Sequence, residues 1–165
     1  GDTYHISIGQ GDLLVTPLQI NVMTSYFANK GKQYVFHLLK ETTSSDQTQR
    51  QQFSEVVARE NVVSQPISEI VRKGLRQTVI DGSGRRLSSL PISVAGKTGT
   101  AQWGKRRIPH AWFTGWAPYE NPQIVFTVLI EEGEEGSRTA LAVAEDILRW
   151  YFDPMRIKEL LTNPK

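Results

Sequence analysis

The run Ile124-Val125-Phe126-Thr127-Val128-Leu129-Ile130 is apolar at all but one position. A strand with no polar alternate face has no side to turn to water. It predicts a strand set centrally in a sheet and covered on both faces. Around it the sequence places a strand from Gln123 to Glu131, preceded by strands over Ile92–Trp103 and Ala111–Ala117, with Pro91, Pro109, Pro118 and Pro122 punctuating the set. Connections this short predict antiparallel neighbours. Three strands are few for a sheet holding so apolar a member, so further strands are expected to join it.

Three helices flank these strands. Thr16 can cap the first, Pro17 suits its first position, and Gln19 supplies the return half of a capping box. Leu18, Val22, Met23, Tyr26 and Phe27 recur at helical spacing as its core stripe, and Gly31 ends it. The second runs from near Ile67 to Ile80, with Ile70, Val71, Leu75 and Val79 on one face, and stops at Asp81-Gly82-Ser83-Gly84. The third covers about Arg138–Phe152, buries Leu141, Ala144, Ile147, Leu148 and Tyr151, and ends before Pro154. A short helix is expected over Met155–Leu161. The polar stretch from Lys40 to Ser54 predicts an exposed loop. Val56, Val57, Val62 and Val63 around Arg59-Glu60-Asn61 suggest a short hairpin. The order helix, loop, helix, three strands, helix predicts an α+β fold with helices packed on an antiparallel β-sheet.

Composition removes several functions. The 165 residues suit one ordinary domain. A net charge of +2, from 19 basic and 17 acidic residues, is too near balance to argue for nucleic acid or an acidic membrane surface. The cluster Lys105, Arg106, Arg107 predicts a solvated turn. Cysteine is absent, which excludes disulfides, thiolate metal sites and cysteine nucleophiles. No apolar run approaches the roughly 20 residues of a membrane span. The first residues lack the pattern of a signal peptide and there is no initial Met, so the chain is expected to be a piece of something longer.

The chemistry concentrates in Ala95-Gly96-Lys97-Thr98-Gly99-Thr100-Ala101-Gln102. Alternation puts Lys97 and Gly99 on one face of the strand and Thr98 and Thr100 on the other. Gly99 permits a distortion or the close approach of a ligand backbone. An edge of this kind offers N–H and C=O groups to an extended peptide, with hydroxyls and an ammonium to hold an anionic end. Gly-Lys-Thr also closes a phosphate loop, but Pro91 stands where that motif needs glycine, and no helix follows the Thr.

Lys97-Thr98-Gly99 is the third signature of the penicillin-binding proteins and serine β-lactamases. Its continuation to Gln102 resembles the longer form found in penicillin-binding proteins. Ile8-Gly9-Gln10-Gly11 followed by Thr16-Pro17-Leu18-Gln19 resembles the stretch that opens a late helix of their transpeptidase domain. Ala111-Trp112-Phe113-Thr114-Gly115-Trp116-Ala117-Pro118 and the apolar strand after it resemble the family's next two strands. The resemblance spans nearly the whole chain in the right order, and it is closest to class B penicillin-binding proteins of the penicillin-binding protein 2 type.

That resemblance implies that residues 1–165 form the C-terminal portion of a serine β-lactamase/transpeptidase-like domain acting as a peptidoglycan D,D-transpeptidase without a cofactor. A serine in Ser-x-x-Lys attacks the D-alanyl-D-alanine carbonyl of a stem peptide, and a neighbouring stem's amine takes the acyl group. Lys97 is implied as the electrostatic partner of the substrate and the proton relay. Thr98 and Thr100 are implied to meet the substrate carboxylate, with Gly99 between them. The Thr100 N–H is implied as an oxyanion donor, and Gln102 as lining the groove. Implied partners are stem peptides, β-lactams and a cell-wall synthesis complex. The implied location is the outer, periplasmic face of the bacterial cytoplasmic membrane, through an N-terminal helix not present in this chain.

No serine has Lys three residues on, and there is no Ser-x-Asn. The nucleophile-bearing part is therefore expected upstream of Gly1 or on another chain, and the chain alone is expected to be inactive. Tyr119-Glu120-Asn121 predicts an ordinary turn. His5, His37 and His110 lie far apart without companion ligands, so no metal site is expected. His110 and Trp103 are candidates for the rim of the site, and Glu131, Glu132, Glu134 and Glu135 predict an acidic turn. Two rival readings remain: a serine β-lactamase or β-lactam sensor, and a non-catalytic peptide-binding fragment.

Overall fold

The computed structural model describes residues 2–104 and 107–154. The expected helix over Met155–Leu161, and Lys105 and Arg106 of the basic cluster, lie outside them. The chain forms α1 (Asp2–Ser7), α2 (Pro17–Ala28), β1 (Lys32–Tyr34), β2 (Glu41–Thr43), β3 (Arg50–Gln52), β4 (Val57–Glu60) and α3 (Gln65–Ile80). A 3-10 turn (Arg85–Ser89), β5 (Ala95–Ala101), β6 (His110–Ala117), β7 (Ile124–Ile130) and α4 (Thr139–Tyr151) follow. The expected α+β architecture is borne out.

The main sheet is antiparallel in the order β5-β6-β7. Register is unbroken from Ala95↔Trp116 to Ala101↔His110, and from Ala111↔Ile130 to Ala117↔Ile124. Among the described residues β6 is central, and the apolar strand β7 has one neighbour where its sequence predicts two. Its apolar character comes from cover on both faces, by α2 and by α4.

The two faces differ in chemistry. On the α4 side, Phe113, Leu87, Leu141 and Leu148 are fully buried with Val94, Ala111 and Ala144. Phe113 occupies the space over the cross-strand pair Gly96↔Gly115, where a Cβ on Gly96 would stand 2.5 Å from its ring. On the α2 side, Trp116 packs with Ala28 and Ala95. Next to them runs a hydroxyl seam: Thr24 of α2 bonds Thr114 at 2.7 Å, and Thr114 bonds Thr127 at 2.8 Å. Shared pairs satisfy hydroxyls that would otherwise be costly to bury.

α2 starts as its sequence predicts. Thr16 Oγ1 accepts from Gln19 N–H at 3.2 Å, and Gln19 Oε1 accepts from Thr16 N–H at 2.8 Å. It closes through left-handed Lys30 and Gly31, with Gly31 N–H on Tyr26 O. Its expected stripe is half right. Tyr26 is buried, but Leu18 and Met23 are 43% and 51% exposed, and Thr24 and Ala28 take their place against the sheet. The helix is apolar on more than one side, and the sheet receives the side that Thr114 can hydrogen-bond.

α3 departs further. Its buried residues are Ser68, Arg72 and Val79, while Ile70 is 69% exposed. The Arg72 guanidinium donates to Phe27 O, to Ala28 O at 3.0 Å and to Tyr119 O at 3.3 Å. It also lies 5.3 Å from the centroids of both Trp116 and Tyr119. The carbonyls at the end of α2 carry partial negative charge, and the rings add their π-faces, so a cation is held there in place of an aliphatic residue.

α4 matches its expected extent, and its buried face includes Glu145. Arg86 and Arg149 both bond that carboxylate, Arg149 at 2.7 Å. The Arg86 hydrogen bond first, then that of Arg149, hold Glu145 below the usual carboxylate range.

Between α2 and α3 the expectations need correction. β4 does not turn back on residues 62–63. It pairs with β1, Lys32↔Glu60 and Gln33↔Arg59, across a long excursion. The Val63 N–H instead bonds the Tyr26 hydroxyl at 2.9 Å. The loop expected over Lys40–Ser54 is exposed, but it contains the β2–β3 ladder from Glu41↔Gln52 to Thr43↔Arg50. Polar, Thr-rich segments can form such a ladder because its bonds are backbone bonds and neither face needs burial. The turn at Tyr119-Glu120-Asn121 joins β6 to β7 as expected.

Replacing Arg72 removes donors from buried carbonyls at the end of α2. Arg72→Leu is expected to lower unfolding free energy by about 3 kcal/mol, since an unmet buried acceptor costs ~1–3 kcal/mol and a charged bond contributes more than a neutral one. Urea unfolding followed by circular dichroism checks it, and an unchanged midpoint would contradict it.

Candidate active site

Among the described residues β5 has one neighbouring strand, β6, and one open edge. In an antiparallel ladder alternate residues turn both backbone groups toward the partner, and the others turn both outward. Outward-facing groups of β5 are marked by their side-chain partners. Arg76 of α3 donates to Val94 O at 2.8 Å. Lys97 Nζ donates to Thr98 O at 2.7 Å. Gln10 Nε2 donates to Thr100 O at 2.8 Å, and Gln10 Oε1 accepts from Gln102 N–H at 3.3 Å. Residues 94, 98, 100 and 102 thus share the outward parity, and the Thr100 N–H faces out beside its carbonyl.

Every residue expected at the site lies on or beside this edge. Cross-strand pairing puts Lys97 over Thr114 on the α2 face and Thr98 over Phe113 on the α4 face, the alternation read from sequence. Lys97 is exposed and its stem bends back to the edge. The Thr98 hydroxyl is 2.6 Å from Ser83 Oγ, in the turn after α3. Thr100 Oγ1 faces the Gly136 N–H at 3.5 Å. Gln102 is exposed just past the strand's end.

Gly99 does not distort the strand: the register passes through it unbroken. What it and Trp112 receive is another stretch of this chain. A Cβ on Gly136 would stand 2.3 Å from Gly99 O and 2.4 Å from Trp112 O, so only glycine lets the turn before α4 come this close. The acidic turn of Glu131, Glu132, Glu134 and Glu135 serves that approach, with Glu132 and Glu134 in left-handed conformations.

Beyond Gln102 the β5–β6 connection forms a stacked rim. Trp103 lies on His110 with centroids 5.0 Å apart and planes 17° apart, and the Arg107 guanidinium sits 4.2 Å over the Trp103 ring. Trp103 Nε1 donates to Ile108 O at 3.0 Å, and His110 Nδ1 accepts from Glu132 N–H at 3.0 Å. That contact leaves the proton of neutral His110 on Nε2. Among the described residues no group of His, Asp and Glu could hold a metal ion.

Two residues at the site were not foreseen. Gln10 is separated from Thr100 by ninety positions and Ser83 from Thr98 by fifteen, so neither contact has a local signal. The trace in the sequence was the pair Gly9 and Gly11 flanking Gln10. Both have positive φ, 72° and 96°, and free the intervening side chain to reach the strand.

An exposed ammonium, paired hydroxyls and an outward amide along one strand edge make a wall that can hold an extended chain ending in a carboxylate. The profile of the penicillin binding protein transpeptidase domain matches residues 2–149, and the chain belongs to that family. It is 30% identical to the peptidoglycan D,D-transpeptidase MrdA of Haemophilus influenzae, over 93% of this chain and 26% of that protein. Its fold matches penicillin-binding protein 2 of Pseudomonas aeruginosa in complex with WCK 5153. There the TM-score is 0.76, with 33% identity, over 94% of this chain and 33% of the other. It also matches penicillin-binding protein A of Mycobacterium tuberculosis in an imipenem acyl-enzyme complex. That TM-score is 0.75, with 26% identity, over 88% of this chain and 32% of the other. The chain spans about a quarter of the length of the curated relatives it matches. The resemblance to the penicillin-binding protein 2 type is borne out.

Gly136→Ala is expected to lift the turn before α4 off β5, because the new methyl meets backbone that cannot rotate away. Overpacking of this kind costs ~1–3 kcal/mol. A lower thermal midpoint, together with faster exchange of the Gly99 amide, would be the reading; an unshifted midpoint would refute it.

Proposed function

We propose that this chain supplies the substrate-holding wall of a peptidoglycan D,D-transpeptidase that crosslinks stem peptides by acyl transfer through a serine ester. The observation that carries the proposal is the open stretch of the β5 edge at Thr98 and Thr100, with Lys97 beside it. A stem peptide lies along that edge. Its terminal carboxylate meets the Thr98 and Thr100 hydroxyls, with Gly99 leaving room between them, and the Lys97 ammonium balances its charge. Gln102 borders the groove at the far end.

The acyl carbonyl then sits at the Thr100 N–H. Attack by a serine raises negative charge on its oxygen, and this N–H, with the serine's own, stabilises it. One such donor contributes about 3–4 kcal/mol to the transition state. The C–N bond breaks, D-alanine leaves with a proton, and a second stem's amine attacks the ester to regenerate the serine. A β-lactam presents a strained amide and a carboxylate to the same groups and acylates the serine without a prompt leaving group.

The serine, in Ser-x-x-Lys, belongs to a part of the domain preceding residues 1–165. That part also covers the exposed Leu14, Leu18 and Met23 and pairs with the edge of β7 that has no neighbour among the described residues. The parent protein is anchored by an N-terminal helix outside this chain, faces the periplasm and works within a cell-wall synthesis complex. Among the described residues no helix is long and apolar enough to cross a membrane.

The isolated chain is expected to take no covalent label from a fluorescent penicillin, and the full-length protein to take one. A penicilloyl adduct on the isolated chain in intact-mass spectrometry would refute this assignment of the nucleophile. In the full-length protein Lys97→Ala is expected to slow acylation by about tenfold or more, equivalent to ~1.4 kcal/mol in the barrier. Stopped-flow acylation measures it, and an unaltered rate would move Lys97 out of the site.

A further inference from the structure

The edge of β5 is not evenly open. An added strand would need the outward carbonyls as acceptors for its N–H groups and the outward N–H groups as donors to its carbonyls. Gln10 meets one of each: its Nε2 donates to Thr100 O, and its Oε1 accepts from Gln102 N–H. A carboxamide has the donor and acceptor of a peptide group. It spans residues i and i+2 of the edge as one residue of an adjacent strand would.

The chain holds Gln10 there by local geometry. α1 ends with the Gly9 N–H on Ile6 O and the Gln10 N–H on His5 O, both at 2.9 Å, with Gly9 left-handed. This is the crossed pair of bonds that terminates a helix at a left-handed residue. Gly11 is also left-handed, and a Cβ on it would come within 3.1 Å of His5 Cβ. The backbone on both sides of Gln10 is thereby set, and its side chain projects to the strand.

We propose that Gln10 is a specificity-determining residue. It stands in for a peptide group on the β5 edge, and a ligand bringing its own N–H to Thr100 O must exchange with it. This rests on the transpeptidase reading. A ligand that uses only the outward Thr100 N–H, through a carbonyl oxygen, leaves Gln10 in place. A ligand that also carries a secondary amide next to that carbonyl, as an extended peptide or an acylamino β-lactam does, trades a Gln10 bond for its own and gains less from the contact. The residue thus tunes how strongly the site favours peptide-like ligands, and it limits how far along β5 they can pair.

The test compares acylation of the full-length protein by benzylpenicillin, which has an acylamino N–H, and by imipenem, which has a hydroxyethyl group there. Gln10→Met keeps the length and removes both bonds. Gln10→Glu keeps the acceptor for Gln102 N–H and loses the donor to Thr100 O. In each variant the ratio of the benzylpenicillin to the imipenem acylation rate constant is expected to rise about three- to tenfold, the range set by one net hydrogen bond. A ratio unchanged in both variants, or both drugs slowed alike, would show that Gln10 only braces the strand and would overturn the proposal. Failure of both variants to fold would overturn it too. A wild-type protein acylated by neither drug would sink the transpeptidase reading itself, an outcome distinct from an unmoved ratio in an active protein.

Discussion

The buried guanidinium of Arg72 joins three parts of the chain that are remote in sequence. It comes from the middle of α3, caps the carbonyls at the end of α2, and reaches Tyr119 O after β6. Trp116 and Tyr119 flank it, and the Trp116 Nε1 also donates to Tyr119 O. Burying a cation is costly unless its donors and its charge are both met. Here the negative end of α2, two π-faces and the Glu69 carboxylate, 3.6 Å from Nε, meet the charge, while Nε itself has no hydrogen-bond partner among the described residues. This contact sets α2 against β6 and β7, and α3 along β5. The strand with the candidate site therefore takes its position from a residue that never approaches the site.

β5 is an edge strand covered near both ends and open between them. An unpaired edge invites association with other chains, and proteins usually cover it. Arg76 of α3 covers the entrance at Val94 O, and Gln10 covers the exit at Thr100 O and Gln102 N–H. Between them the outward N–H groups of Thr98 and Thr100 remain, while Lys97 Nζ holds the Thr98 carbonyl. A short open stretch bounded at each end leaves an added strand few places to begin pairing.

The sheet has an apolar side and a polar side, and the site lies where they meet. Against α4, Phe113 fills the space over two opposed glycines, and Gly136 brings its turn into contact with Gly99 and Trp112. These contacts make β5 rigid from behind. Against α2, the row Lys97, Thr114, Thr127 crosses all three strands, with Thr24 bonded to its centre. A lysine at the end of a row of satisfied hydroxyls keeps its stem against protein and its ammonium free to reach the edge.

Much of the fold was legible in the chain. The extents of β6 and β7, the capping box at Thr16 and Gln19, the end of α3 at Asp81 and the buried stripe of α4 all follow from signals a few residues apart. The alternation of Lys97 and Thr98 across β5 belongs with them, and so does the family, which the Lys-Thr-Gly strand and its ordered neighbours marked. The pairing of β4 with β1 and the buried Arg72 in place of Ile70 were not legible. Each depends on which distant surface arrives opposite, and residue periodicity carries no record of that. The site divides in the same way. Sequence alone determined which groups β5 could offer, because backbone alternation is local. Only the tertiary structure decided which of them stay exposed, because Gln10, Ser83 and Gly136 reach the strand through space, and side-chain hydrogen bonds act over about 3 Å whatever the separation along the chain.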